Sequence, residues 1–190
     1  MPRIILASGY PRRKELLGKL YREFDIITSD VDESLPLGMH PRQGVELLAI
    51  RKGEPIAALH TDAVVISSDT LVEINGVPLG KPVSREDAYS MLRTLSGEHH
   101  HVHTGIAVHK DGNSYSGVAS ARVKFKPISD AEIWDYIDTN EPMDKAGAYA
   151  IQGIGGKFIE GYDGDFDTIM GLSVSLTKEL IEKALGGVNE

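Results

Sequence analysis

Ile4-Ile5-Leu6-Ala7-Ser8-Gly9-Tyr10-Pro11-Arg12-Arg13-Lys14-Glu15-Leu16-Leu17 opens the chain with a change of period. The apolar run Ile4 to Leu6 reads as a short buried strand. Ala7-Ser8-Gly9-Tyr10 reads as a turn, and Pro11 suits the first position of a helix, where its missing N–H would have no partner. Leu16, Leu17 and Leu20 then form an apolar stripe at helical spacing. A strand passing into a helix through a glycine turn is the opening unit of an α/β fold.

The same alternation continues outward. A strand-like run at Phe24 to Thr28 leads into an acidic loop carrying Asp30, Asp32 and Glu33. Val45, Leu48, Ala49 and Ile56 predict a second helix, with Gly53 and Pro55 arguing that it kinks or ends near there. Ala63 to Ser67 predicts a buried strand. Ser67-Ser68-Asp69-Thr70 then reads as a polar break with Asp69 at the strand end, before strand resumes over Thr70 to Ile74. Asn75-Gly76 is a strong hairpin signal. Ser84, with Asp87 following, caps a third helix along Ala88, Met91, Leu92 and Leu95. His101 to Lys110 and Tyr115 to Lys126 predict long strands joined around Asp111-Gly112. Ser129 and Glu132 form a capping box ahead of Ile133, Tyr136 and Ile137. Tyr149 to Gln152 and Phe158-Ile159 read as short strands, and Leu176 to Leu185 as a closing helix stopped by Gly186. Helices interleaved with hairpins predict a mixed rather than purely parallel sheet.

Composition bounds the function. The 190 residues suffice for one domain spanning 1–190, and 41% apolar with 25% charged residues is ordinary for a soluble globular chain. There is no Cys, which removes disulfides, thiolate metal sites and Cys nucleophiles, and favours the reducing cytoplasm. No stretch approaches the roughly 20 apolar residues that span a bilayer. A net charge of −8 argues against a nucleic-acid or anionic-membrane partner. Any polyanion must therefore be held in a local basic pocket or through a metal.

Several segments meet that demand. Ser8-Gly9-Tyr10-Pro11-Arg12-Arg13 joins a helix start to paired guanidinium forks, both suited to phosphate; the plain alternative is a surface helix with solvated arginines. Asp69 can hold Mg²⁺ or act as a base toward water, or simply cap a turn. Lys52, Lys81 and Lys145 offer point charges to phosphate oxygens, or are solvated surface lysines. Glu33 can share a cation with substrate phosphates, or belong to an ordinary acidic loop. In His99-His100-His101 with His103, the odd-numbered residues share one strand face, with no carboxylate spaced to help them hold a metal; a solvated strand face is the favoured reading.

Taken together these pieces resemble the Maf (septum formation inhibitor) nucleotide pyrophosphatases nearly end to end. They are Leu6-Ala7-Ser8 with Pro11-Arg12-Arg13 and Glu15-Leu16-Leu17, Val31-Asp32-Glu33, Ser68-Asp69-Thr70 and Gly80-Lys81-Pro82. Further along come Met91-Leu92 with Leu95-Ser96-Gly97, Thr104-Gly105, Asp144-Lys145-Ala146-Gly147-Ala148-Tyr149, Ile151-Gln152-Gly153 and Gly171-Leu172. The resemblance implies an elongated α/β fold with a mixed sheet flanked by helices, two lobes around a central cleft, and kinship with the inosine triphosphate pyrophosphatases. It also implies a homodimer that hydrolyses a nucleoside triphosphate to the monophosphate and pyrophosphate with Mg²⁺ or Mn²⁺. On this footing Asp69 is the proton acceptor, with Glu33 as its metal-binding partner. Ser8, Arg12, Arg13, Lys52 and Lys81 match the family's phosphate-handling positions, beside Lys145 as read above. Arg12-Arg13, Thr70 and Gln152 resemble the subgroup acting on dTTP and UTP. The carboxamide of Gln152 can donate to O4 of thymine or uracil and accept from N3–H. Three departures stand out: Tyr10 in place of a serine, which removes a helix cap; Gly53 in place of an alanine; and Ser173 in place of a proline. Two other readings stay open here: a nucleotide-binding regulator of septum formation with little turnover, and a pyrophosphatase broad in base that clears modified pyrimidine nucleotides.

Overall fold

The structure, a computed structural model, describes residues 2–187. Its strands are β1 (Arg3–Leu6), β2 (Asp25–Ile26), β3 (Ala63–Ile74), β4 (Val77–Leu79), β5 (His99–Lys110), β6 (Asn113–Phe125) and β7 (Ile159–Asp163). Its helices are α1 (Pro11–Leu17), α2 (Pro41–Leu59), α3 (Arg85–Leu95), α4 (Asp130–Asp138), α5 (Phe166–Met170) and α6 (Val174–Ala184). The strands form one seven-stranded sheet in the order β2-β1-β3-β5-β6-β7, with β4 paired to β3. β1 runs parallel to both β2 and β3, whereas β4 and β7 are antiparallel to their neighbours. The sheet is thus mixed, as the hairpin signals predict. Asn75 and Gly76, at φ 51° and 79°, turn β3 into β4, and Asp111 and Gly112, at φ 51° and 76°, turn β5 into β6.

The chain divides into two compact units. Of the described residues, the first comprises 2–69, 104–119 and 171–187; the second comprises 70–103 and 120–170. The boundaries fall inside β3, β5 and β6, between Asp69 and Thr70, His103 and Thr104, and Ala119 and Ser120.

In the first unit, Ile5, Ala7, Ile56, Ala63 and Val65 pack together and join β1 and β3 to α2. In the second, α3 and α4 bury Leu92, Leu95, Ile133, Tyr136 and Ile137 against Val123, Phe125 and Phe158. Leu92 and Leu95 are wholly buried, and each such side chain contributes about 1.5–3 kcal/mol from removed apolar surface. The capping signals take the predicted form. Ser84 Oγ accepts from the Asp87 N–H, and Ser129 and Glu132 form a complete capping box. Helix α6 ends at Ala184, and Gly186 follows at φ 71°. No helix among the described residues is long and apolar enough to cross a membrane.

Four expectations are corrected. Helix α2 runs unbroken through Gly53 and Pro55 to Leu59. Gly53 is there for close approach: a Cβ on it would overlap His109 Nε2 and Ser67 Oγ. β3 passes straight through Asp69, which lies mid-strand and not at a strand end. The segment from Phe24 to Thr28 yields only the two-residue strand Asp25–Ile26. Tyr149 to Gln152 is not a strand: Tyr149 and Ala150 pair with no strand among the described residues, Ile151-Gln152 is a turn, and Phe158 closes a 3₁₀ turn that starts at Ile154. Closely spaced glycines, Gly153, Gly155 and Gly156, favour the turn.

Candidate active site

Strand register builds the first cluster. β1 and β3 pair in parallel with Leu6 opposite Ile66, and the Ala7 N–H continues the ladder to Ile66 O at 2.8 Å. Ser8 and Ser68 are each the second residue beyond that pair, so the Ser8 turn and the Ser68-Asp69 step emerge at one level. Ser8 Oγ accepts from the Tyr10 N–H at 3.3 Å and from Arg13 Nη1 at 3.2 Å. Arg13 Nε donates to Gly171 O at 2.8 Å, and Ser68 Oγ donates to the same carbonyl at 3.1 Å. A buried arginine is thereby held by Ser8 and by the Gly171 carbonyl, to which Ser68 also donates. Burial lowers the Arg13 pKa from its usual value, while Asp69, Tyr10 and Glu33 oppose that shift. Asp69 therefore lies within electrostatic reach of Arg13, as the pairing of these segments requires.

Across from Arg13's partners in sequence, α2 supplies Lys52. Its Nζ stands 2.6 Å from Asp69 Oδ1 and 3.0 Å from Glu33 Oε1. Lys52 and Asp69 are largely shielded from solvent, at 21% and 13% side-chain exposure, so their pair is only weakly screened; Glu33, at 63%, is open. Two carboxylates thus converge on one ammonium. That donor set suits a hard divalent cation such as Mg²⁺, which is bound through one or two carboxylates together with substrate phosphates and water. Among the described residues there is no group of three or more His, Asp or Glu arranged to hold a metal by itself.

Helix α1 contributes less than its sequence suggests. It has seven residues, Pro11 has no N–H, and the N–H groups of Arg13 and Lys14 bond to Tyr10 O at 3.1 and 3.4 Å. Positive charge here comes from side chains, not from an open helix end. Tyr10 makes no side-chain cap, as expected, but its ring has a role: the guanidinium carbons of Arg12 and Arg13 lie 5.9 and 5.3 Å from its centroid. Ser173 also has a use, because its Oγ accepts from the Leu176 N–H at 3.3 Å and caps α6.

The second unit gathers another set of predicted residues. Lys145 Nζ lies 2.5 Å from Asp144 Oδ1. The Lys145 hydrogen bond and charge, with the charge of Lys81, hold the Asp144 carboxyl below its usual range. The Gly147 N–H donates to Gly80 O at 3.1 Å, which ties the Lys81 segment to the Lys145 segment. Thr70 is half-buried on β3, directly after Asp69, and Gln152 is exposed on the turn after Ala150.

The histidine run divides. His99 and His101 are exposed, as a solvated face requires, but His103 is buried. His103 Nε2 sits 2.7 Å from Glu73 Oε2, and its Nδ1 2.7 Å from Ser120 Oγ. The carboxylate absent from the local sequence comes from β3, and only strand pairing reveals it. His100 is buried against Phe125 and Tyr149, with Nε2 2.7 Å from the Tyr149 hydroxyl. Trp134 stacks on Tyr89 at 4.9 Å, a packing role. The Gly171 carbonyl that anchors Arg13 was not singled out from sequence; its only signal is the Gly171-Leu172 pair within the resemblance.

A family model described as "Maf-like protein" matches residues 3–184. The chain belongs to the Maf family. Among its relatives, this Maf-like chain is 44% identical over 185 residues to a protein named dTTP/UTP pyrophosphatase from Pelotomaculum thermopropionicum, covering 96% of this chain and 97% of that one. A protein of the same name from Alkaliphilus metalliredigens is 46% identical over 186 residues, covering 96% of each. Among solved structures, the Staphylococcus aureus Ham1 protein superposes with a TM-score of 0.52 at 17% identity, covering 95% of the Maf-like chain and 90% of its own. A HAM1 protein from Coxiella burnetii gives 0.50 at 16%, covering 97% and 100%. These two likenesses concern the fold alone.

Proposed function

We propose that this Maf-like chain hydrolyses dTTP and UTP to the nucleoside monophosphate and pyrophosphate. The observation that carries the reading is Lys52 bridging Asp69 and Glu33 within electrostatic reach of buried Arg13, in a chain over 40% identical to proteins of that name. Asp69 takes the proton of a water whose oxygen attacks the α-phosphorus. The bond from that phosphorus to the oxygen bridging the β-phosphorus breaks, and pyrophosphate leaves. Arg12, Arg13, Lys52, Lys81 and Lys145 offset the phosphate charge, and the Ser8 hydroxyl holds the Arg13 guanidinium. Most of the rate then comes from positioning and fixed charge.

Asp69 and Glu33 would hold Mg²⁺ or Mn²⁺, which supplies electrophilic polarisation of phosphoryl oxygens when bound. Gln152 pairs with the O4 and N3–H edge of the pyrimidine, and Thr70 lies beside the catalytic carboxylate. On the resemblance alone we assign a homodimer; on the absence of Cys we assign the cytoplasm. The test is pyrophosphate release from a panel of dTTP, UTP, CTP, GTP, 7-methyl-GTP, 5-methyl-UTP and pseudo-UTP, with Mg²⁺ or Mn²⁺ present. Turnover confined to dTTP and UTP supports the reading. Nucleotide binding without pyrophosphate release would identify a sensor, and equal turnover across bases would identify a broad housecleaning enzyme.

A further inference from the structure

The turn that presents Gln152 rests on a carboxylate with no assigned role. Glu141 Oε1 accepts from the Ile154 N–H at 3.0 Å, and its Oε2 from the Gly155 N–H at 3.0 Å. Oε2 also accepts from the Tyr136 hydroxyl at 2.5 Å. That hydroxyl in turn accepts from the Ala150 N–H at 3.1 Å. The backbone is therefore gripped on both sides of Gln152: at Ala150 through the phenol, and at Ile154 and Gly155 through the carboxylate. A further bond, Gly153 N–H to Ala150 O at 3.2 Å, closes the turn. Tyr136 is fully buried in the core of the second unit, against Phe158 at 5.1 Å, so the grip is referred to a rigid base. The glycines fit the same arrangement. A Cβ on Gly153 would overlap Glu141 Oε1, and one on Gly155 would meet the Tyr136 hydroxyl.

We propose that Glu141 is a positioning residue for base recognition: through its bonds to Ile154 and Gly155, and with Tyr136 behind it, it sets where the Gln152 carboxamide stands. The inference rests on the reading of Gln152 as the group that meets the pyrimidine edge. A side chain with three rotatable bonds up to its carboxamide keeps a fixed bidentate geometry only if its own backbone is held. Bidentate pairing of donor and acceptor tolerates little displacement. A carboxylate suits this task because it accepts from several donors at once. A carboxamide at the same place keeps one accepting oxygen and turns an N–H₂ toward a backbone N–H.

The experiment compares wild type, Glu141→Gln and Tyr136→Phe in steady-state hydrolysis of dTTP, UTP and CTP, with inhibition by inorganic pyrophosphate measured alongside. Glu141→Gln is expected to raise KM for dTTP and UTP by about tenfold, to leave kcat within about threefold, and to narrow the preference over CTP. The inhibition constant of pyrophosphate, which has no base, should stay within about twofold. Tyr136→Phe should show the same split more weakly, because it loses one backbone bond, at Ala150, and keeps both that Glu141 makes. A loss confined to kcat, with KM unchanged, is the mark of a smaller folded fraction and would overturn the positioning role. Unchanged KM and unchanged base preference would overturn it as well. If Glu141→Gln is insoluble, Tyr136→Phe decides by the same split. Wild-type enzyme that turns over none of the three nucleotides would sink the assignment of function itself, and Glu141's role with it.

Discussion

Lys52 Nζ lies 2.6 Å from Asp69 Oδ1, and the same ammonium reaches Glu33 Oε1 at 3.0 Å. The one ammonium offsets the charge of both carboxylates. Asp69→Asn preserves the shape of this arrangement but removes the proton acceptor. Turnover of dTTP should fall by about 10²- to 10⁴-fold, while nucleotide binding, followed by calorimetry without added metal, changes by less than about threefold. Normal pyrophosphate release from this variant would remove Asp69 from the mechanism.

Glu33 is the exposed member of the trio and Asp69 the shielded one, so their replacement should differ in kind. Glu33→Gln is expected to raise the Mg²⁺ concentration for half-maximal rate by about tenfold or more, with the rate at saturating Mg²⁺ largely restored. Titrating the metal against pyrophosphate release checks this. Chelation with EDTA should abolish wild-type turnover, and added Mg²⁺ should return it.

Gly53 and His109 occupy one another's space. His109 is buried, held by Ser114 Oγ at 2.8 Å on Nδ1, and a methyl on Gly53 would overlap its Nε2. Gly53→Ala should destabilise the protein by about 1–3 kcal/mol despite the better helix propensity of alanine. In the Gly53→Ala/His109→Ala double variant the overlap with His109 is gone and only that with Ser67 Oγ remains, so a cycle of urea-unfolding measurements should show a coupling of about 1 kcal/mol or more. Additive losses would mean that the two positions do not compete.

His100 couples stability to pH. Burial, with smaller effects from His101 and His99, lowers its pKa from 6.5 to about 3, and its Nδ1 has no hydrogen-bond partner among the described residues. The unfolded chain takes up the proton near pH 6.5 and the folded chain does not. Stability from this group is therefore complete above pH 6.5 and declines as pH falls toward 3. The slope approaches about 1.4 kcal/mol per pH unit. Urea midpoints measured from pH 8 to pH 5 should fall in wild type, and the decline should be shallower in His100→Phe. Parallel profiles would place the proton uptake elsewhere.

The sequence by itself determined the elements and most of the chemistry. Period, turn pairs and caps depend on neighbours within a few residues, so Asn75-Gly76, Asp111-Gly112, Ser84 and the Ser129–Glu132 box are legible without a fold. Lys52 and Arg13 are legible as residue types that suit phosphate, and Asp69 and Glu33 as types that suit a divalent cation. Their convergence was decided by tertiary structure, because the parallel register of β1 with β3 and the packing of α2 bring together positions far apart in the chain. The same holds for what the sequence misstated. Gly53 and Pro55 look like breakers until His109 fills the space beside the helix, and Asp69 looks like a strand end until its neighbours carry the sheet past it. Glu73 beside His103 and Glu141 beneath Ile154 have no local signal, and Gly171 beside Arg13 has none beyond the Gly171-Leu172 pair. Each is a hydrogen bond between segments, and such partners are specified only when the whole backbone is in place.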